Sequence, residues 1–239
     1  MTQFALSAQD IVAVRQQRRV LDGIELSLIP GEVASIEGAS GVGKSTLLHI
    51  LAGLLAPDCG KVRIAGYPLE ELAPRERARR LAIAVQTPVL PGELSVFELV
   101  RLGRLPHKVS GVGFLNRSWR SCDIDAEPVD RALAAVGLRS LAARTLGSLS
   151  GGEQRRAHLA RVLAQETPLL LLDEPTTHLD EVTARQLMKE LQSRAELGTA
   201  ILIVTHDAAW VSRHCGHALR LDNGRLSASQ RPNQRSVSR

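Results

Sequence analysis

Cysteine is scarce. Cys59, Cys122 and Cys215 are the whole supply, odd in number and far apart, with no CxxC pair among them. That excludes a disulfide framework and a cysteine-based metal site, and the three read as reduced thiols of a cytosolic protein. Aromatic residues make up only 3% of the chain, and they form no basic–aromatic stripe. A stacking platform for single-stranded nucleic acid is therefore excluded. Long apolar runs are missing too. The longest, such as Leu169–Leu172 and Ala200–Val204, are strand-sized, well short of the roughly 18 residues a spanning helix needs. Met1–Asp10 shows no basic start followed by an apolar stretch, so no cleaved leader is expected. Lysine is rare: four of the thirty basic residues, against twenty-six arginines. The net charge of +5 contains no block of five like charges, so it reads as a solvated surface and not as a nucleic-acid footprint.

What remains is an ordinary globular composition, 44% hydrophobic and 23% charged, in 239 residues. The length fits one domain, or one core with an insertion. Val20–Leu28 carries Ile24, Leu26 and Leu28 at alternate places, the pattern of a half-buried strand. Val33–Ile36 predicts a second short strand. Gly38-Ala39-Ser40-Gly41-Val42-Gly43-Lys44-Ser45 follows directly. Leu47, Leu48, Leu51, Leu54 and Leu55 then mark one face of a helix. From Thr87 to Gly147, prolines and glycines punctuate helical patterns, one over Leu94–Leu102 and one over Val129–Val136. This stretch is expected to be an inserted helical subdomain, with an irregular loop over Gly111–Asp125. After Ser148 the chain predicts a helix over Glu153–Gln165, a buried strand at Leu169–Leu172, a helix over Glu181–Glu196 and a buried strand over Ala200–Thr205. Ser227–Arg239 has no apolar periodicity and is expected to be a disordered tail. The predicted layout is a nucleotide-binding core over 1–87 and 148–226, an insertion over 88–147 and a tail over 227–239.

Three motifs carry chemistry. The glycine loop matches G-x-x-x-x-G-K-[ST] in full. Gly38, Gly41 and Gly43 let the backbone turn its N–H groups inward at phosphate oxygens. The helix behind them offers its own amides and positive dipole end. Lys44 would reach the β and γ phosphates, and the Ser45 hydroxyl suits Mg²⁺. Alone, this motif fits an NTPase, a kinase or a GTPase. Asp173 and Glu174 end the leucine strand, the edge where doubly wound sheets bind ligands. Asp173 suits Mg²⁺ and Glu174 suits a general base toward water. Ser150-Gly151-Gly152, opening a helix, has the form of a second phosphate nest. Two nests in one chain suggest two copies meeting head to tail; a plain Ser150 helix cap is the simpler reading of that turn alone.

Taken together, the set resembles the nucleotide-binding subunit of an ABC transporter. The residues that carry the resemblance are GASGVGKS at 38–45, Gln86, LSGGEQ at 149–154, LLLLDEP at 169–175, THLD at 177–180 and His206 in VTHD. It spans about residues 10 to 226. It implies an α/β fold with a RecA-like P-loop NTPase core, an N-terminal antiparallel β subdomain and an inserted α-helical subdomain. It implies ATP and Mg²⁺ as cofactors. Catalytic roles fall to Glu174, His206 and Gln86. Nucleotide would be held by Gly38, Ala39, Ser40, Gly41, Val42, Gly43, Lys44, Ser45, Thr46 and Arg15, and across a dimer seam by Ser150, Gly151, Gly152 and Asp180. Mg²⁺ would be held by Ser45, Gln86 and Asp173. The implied partners are a second copy, membrane-spanning permease subunits and, indirectly, a substrate-binding protein, with no nucleic acid. The implied place is the cytoplasmic face of the membrane, as a peripheral subunit.

LSVFELVRLGRLPH at 94–107 and LAQETPLLLLDEPTTHLD at 163–180 are similar to the subgroup that powers uptake of iron–siderophore complexes, haem and vitamin B12. Manganese and zinc importers share part of this pattern, and an exporter subunit or a soluble ABC ATPase are the rival readings. Two residues depart from the family. Arg15 stands where relatives carry an aromatic against adenine; its guanidinium can stack by cation–π contact. Glu37 stands just before the glycine loop, where an apolar residue is usual. A carboxylate there repels a triphosphate unless it points away or is paired.

Overall fold

The computed structural model describes residues 4–85, 92–107, 126–177, 179–207 and 215–229. The expected loop over 111–125, together with Gln86 and His178, lies outside the described residues. Two sheets organise the rest. The first is antiparallel, formed by β1 (Leu6–Arg15), β2 (Arg18–Leu28), β4 (Cys59–Ile64) and β5 (Tyr67–Pro68) in the order β2-β1-β4-β5. The second has six strands in the order β10-β9-β3-β8-β7-β6, with β3 at Val33–Glu37, β6 at Leu81–Ala84, β7 at Leu169–Asp173, β8 at Ala200–Thr205, β9 at His217–Asp222 and β10 at Arg225–Ala228. Neighbours from β9 to β6 are parallel; β10 is antiparallel to β9.

The leucine and isoleucine strands are apolar on both faces because both faces are covered. Leu169, Leu171, Ala200, Leu202, Val204, Ala34 and Ile36 face a core shared with the antiparallel sheet and with α1 (Lys44–Leu51). Leu170, Leu172, Ile201 and Ile203 face a second core. That core packs α3 (Val96–Leu102), α4 (Ala126–Ala135), α5 (Gly151–Leu163) and α6 (Glu181–Glu196) together. A short helix, α2 (Pro74–Arg80), precedes β6 and starts with proline in its first turn, where the missing N–H costs nothing.

Polar side chains set the helix starts. Ser95 accepts from the Glu98 amide while Glu98 reaches back to the Ser95 amide, so α3 begins at Val96 and not at Leu94. Ser150 and Glu153 repeat this capping box on α5, which therefore begins two residues before the expected Glu153. α5 ends at Leu163, and the side-chain Nε2 of Gln165 beyond it donates to the carbonyls of Ala78 and Leu81. α5 packs on α3 and α4 and also touches β6, so it links the inserted helices to the sheet. The C-terminal expectation needs correction. Ser227 and Ala228 are not tail but the end of β10, paired with Arg220 and Leu219. An exposed edge strand of four residues needs no apolar alternation, and its ladder is set by the Asn223–Gly224 turn.

Candidate active site

β3 delivers the glycine loop to the C-terminal edge of the parallel sheet. Gly41 and Gly43 adopt φ of 76° and 116°, left-handed conformations that glycine takes without a steric penalty. A Cβ at Gly38 would stand 2.6 Å from the Leu221 carbonyl oxygen, and one at Gly43 2.7 Å from Val20 Cγ1. The loop is thus wedged between β2 and the β9–β10 hairpin. α1 starts at Lys44, so the amides of Lys44, Ser45 and Thr46 precede the first intrahelical bond, from the Leu47 N–H to the Gly43 carbonyl. Ser45 and the loop residues Ala39, Ser40 and Gly41 are exposed, Gly38, Val42 and Thr46 half-buried. Lys44 is buried, its Nζ donating to the carbonyls of Gly38 and Ala39 at 2.8 and 2.9 Å.

β7 ends beside this loop. Asp173 is buried and accepts a hydrogen bond from the Ser45 hydroxyl. Burial, and then the neighbouring Glu174 charge, push its carboxyl above the ordinary range; Ser45, His49 and Lys44 pull the other way. A carboxylate and a hydroxyl oxygen in contact, with a second carboxylate adjacent, is a hard-oxygen set that fits Mg²⁺. Among the described residues no group of three or more His, Cys, Asp and Glu side chains forms a further metal cluster.

Glu174 sits on a backbone turned to φ 50°, its N–H donating to Val204 O at 2.8 Å. This carries the side chain from the end of β7 across to the end of β8. There Oε1 meets His206 Nδ1 at 2.7 Å, and the buried Thr205 hydroxyl donates to Oε2 at 3.2 Å. The Glu174 side chain is 10% exposed, the His206 ring 67%. With Nδ1 donating to the carboxylate, a neutral His206 keeps its lone pair at Nε2. Ser45, Asp173, Glu174 and His206 thus come together from three strand ends. The Thr205 contact was not read from the sequence; its position one residue before His206 was the available signal.

The remaining candidates stand elsewhere. Ser150 is occupied with Glu153 at the start of α5, and its hydrogen bonds hold the Glu153 carboxyl below the usual range. Gly151 and Gly152 are the first residues of that helix. Asp180 caps α6 through the Thr183 amide and hydroxyl, at 2.8 and 2.9 Å, which lower its pKa. Gln86 lies outside the described residues. Arg15 ends β1, its guanidinium tied to the carbonyls of Val14 and Ala56 and to Asp58. Glu37 lies on the face of β3 opposite Ala34 and Ile36, which pack with α1, and its carboxylate accepts the Ser229 hydroxyl. It therefore both points away from the α1 face and is paired.

Comparison with known proteins agrees with this geometry. The family model described as "ABC transporter" matches residues 21–177. A hemin import ATP-binding protein of Pseudomonas putida is 41% identical over 232 residues, covering 95% of this chain and 87% of that protein. A ferric enterobactin transport ATP-binding protein of Escherichia coli is 37% identical over 218 residues, covering 90% and 77%. Among solved structures, a bacterial ABC transporter cassette seen as a dimer superposes with a TM-score of 0.80 at 27% identity, covering 95% of this chain and 99% of that one. Fold, site and likeness converge: the chain belongs to the ABC transporter family, as an ATP-binding cassette that hydrolyses ATP.

Proposed function

We propose that the chain powers import of a metal chelate, of the iron–siderophore, haem or cobalamin kind, through separate permease subunits. The observation that carries the catalytic half is the meeting of Ser45, Asp173, Glu174 and His206 at one sheet edge beside the glycine loop. The cargo class rests on likeness to hemin and ferric enterobactin import subunits over nearly the whole chain.

In this reading Gly38 to Thr46 cradle the ATP phosphates with backbone amides, and Lys44 leaves its two carbonyls for phosphate oxygens. Ser45 and Asp173, joined by Gln86, would hold Mg²⁺, which neutralises charge on the phosphates when bound. Glu174 takes the proton of the attacking water, oriented by His206 and Thr205. Arg15 would stack on the adenine ring. Ser150, Gly151, Gly152 and Asp180 complete the site from a second copy, in a head-to-tail dimer that ATP closes and hydrolysis reopens. That motion is passed to the permease at the cytoplasmic face of the membrane, while a substrate-binding protein acts from the other side.

The test is affinity capture from detergent-solubilised membranes with mass spectrometric identification. A polytopic permease in stoichiometric yield is expected, and its identity narrows the cargo. Ribosomal or no membrane partners, from a sample that still hydrolyses ATP, would overturn the transport role.

A further inference from the structure

Glu37, at the end of β3, has a structural occupation that the catalytic reading does not use. Glu37 is 8% exposed, and its carboxylate accepts the hydroxyl of Ser229, the residue that follows β10. An apolar side chain would fill this place with no polar group to desolvate. A carboxylate instead fixes a direction, because it must be met by a donor. The donor belongs to a hairpin that touches the glycine loop at other points. Gly38 passes so close to β9 that a Cβ would lie 2.6 Å from Leu221 O. Gly41 and Val42 share a cavity wall with Asn223 and Gly224 of the hairpin turn. From the other side, the Asp22 N–H donates to Gly224 O at 2.8 Å, and Arg225 donates to the Asp22 carboxylate at 3.0 Å, tying the hairpin to β2. Ser229 is itself fixed by its N–H, which donates to Ala218 O at 2.9 Å.

The chain of contact runs into the site. Glu37 is bonded to Gly38 in sequence, and the Gly38 carbonyl is one of the two acceptors of Lys44 Nζ. A shift of the β3 end moves that carbonyl, and with it the ammonium. We propose that the β9–β10 hairpin braces the phosphate loop, and that Glu37 and Ser229 are positioning residues whose contact sets where Gly38 and Lys44 stand for ATP. The proposal rests on the reading that the 38–46 loop binds ATP.

The experiment uses the full chain. ATP affinity is measured by titration calorimetry, KM and kcat by phosphate release, and folding by thermal melting. Ser229→Ala and Glu37→Leu should each weaken ATP binding and raise KM by about three- to tenfold, the range that the net loss of one ordinary hydrogen bond carries, with kcat within about twofold. The double variant should be no worse than either single one, since both remove the same contact. Ser229→Thr, which keeps the hydroxyl, and Glu37→Gln, which keeps an acceptor oxygen, should restore affinity toward that of the unaltered chain. Unchanged affinity in folded Ser229→Ala and Glu37→Leu would overturn the proposal. So would additive losses, or no rescue by Ser229→Thr. Lys44→Ala is the control for the underlying reading: undiminished ATP binding in that variant would remove the loop itself as the site, whatever the other variants do.

Discussion

Asp173 and Glu174 are chain neighbours with unlike surroundings, and those surroundings divide the labour. Asp173 faces Ser45 and Lys44 at the loop; Glu174, turned by its positive φ, faces Thr205 and His206. Glu174→Gln keeps the shape and the Thr205 contact but cannot take a proton. It should retain ATP binding and lose about 10²- to 10⁴-fold in turnover, measured by steady-state phosphate release. Hydrolysis at the unaltered rate would remove Glu174 as the base. The thiols differ as well. Cys59 is exposed, whereas Cys215 is buried and its thiol is pushed up by that burial, against a hydrogen bond from Ser35. A maleimide should label Cys59 much faster than Cys215 in the folded chain, with peptide mapping as the readout, and unfolding should abolish the difference. At this scale the sequence was highly legible. Lys44, Ser45, Asp173, Glu174 and His206 were all named from spacing and likeness, and they meet. Thr205 and Ser229 were not, because a hydroxyl acquires its role from a partner far along the chain: 31 positions for Thr205, 192 for Ser229.

Elements with strong local grammar were readable, and those shaped by a distant partner were not. β7 and β8 announce themselves as apolar runs bounded by turn residues. β1 does not, although its buried residues include Leu6, Ala8, Ile11 and Ala13. The alternation breaks between Ala8 and Ile11, where the pairing slips and Asp10 takes φ 51°. Opposite, Gly60 lies so near that a Cβ would fall 2.5 Å from Asp10 O. This is a bulge, invisible to a period-two count because it inserts a residue. The two capping boxes offer a matched pair of tests. Ser95→Ala and Ser150→Ala should each cost about 1 kcal/mol of unfolding free energy, read from denaturant midpoints. If Ser150 also meets nucleotide across a dimer seam, only Ser150→Ala should lower hydrolysis beyond what its stability loss explains. Equal hydrolysis in the two variants would reduce Ser150 to a cap.

For the whole molecule, one buried group sets an acid limit on stability. His158 on α5 is nearly enclosed, and burial, aided by the charge of Arg161, lowers its pKa from 6.5 to about 4. Between those values the unfolded chain binds the proton that the folded chain refuses. Its contribution is fully present above about pH 6.5 and declines as pH falls toward 4, by up to about 3 kcal/mol. Urea midpoints at pH 7 and pH 5 should differ more for the unaltered chain than for His158→Gln; equal differences would exonerate His158. The arrangement at Lys44 has a larger consequence. The buried Lys44 ammonium has two carbonyl acceptors, and in the proposed function it would trade them for phosphate oxygens when ATP arrives and trade back when phosphate leaves. Neither exchange strands a charge in the interior. An engine that discards its fuel every cycle must idle without seizing, and on that reading the loop's own backbone supplies the idling contacts.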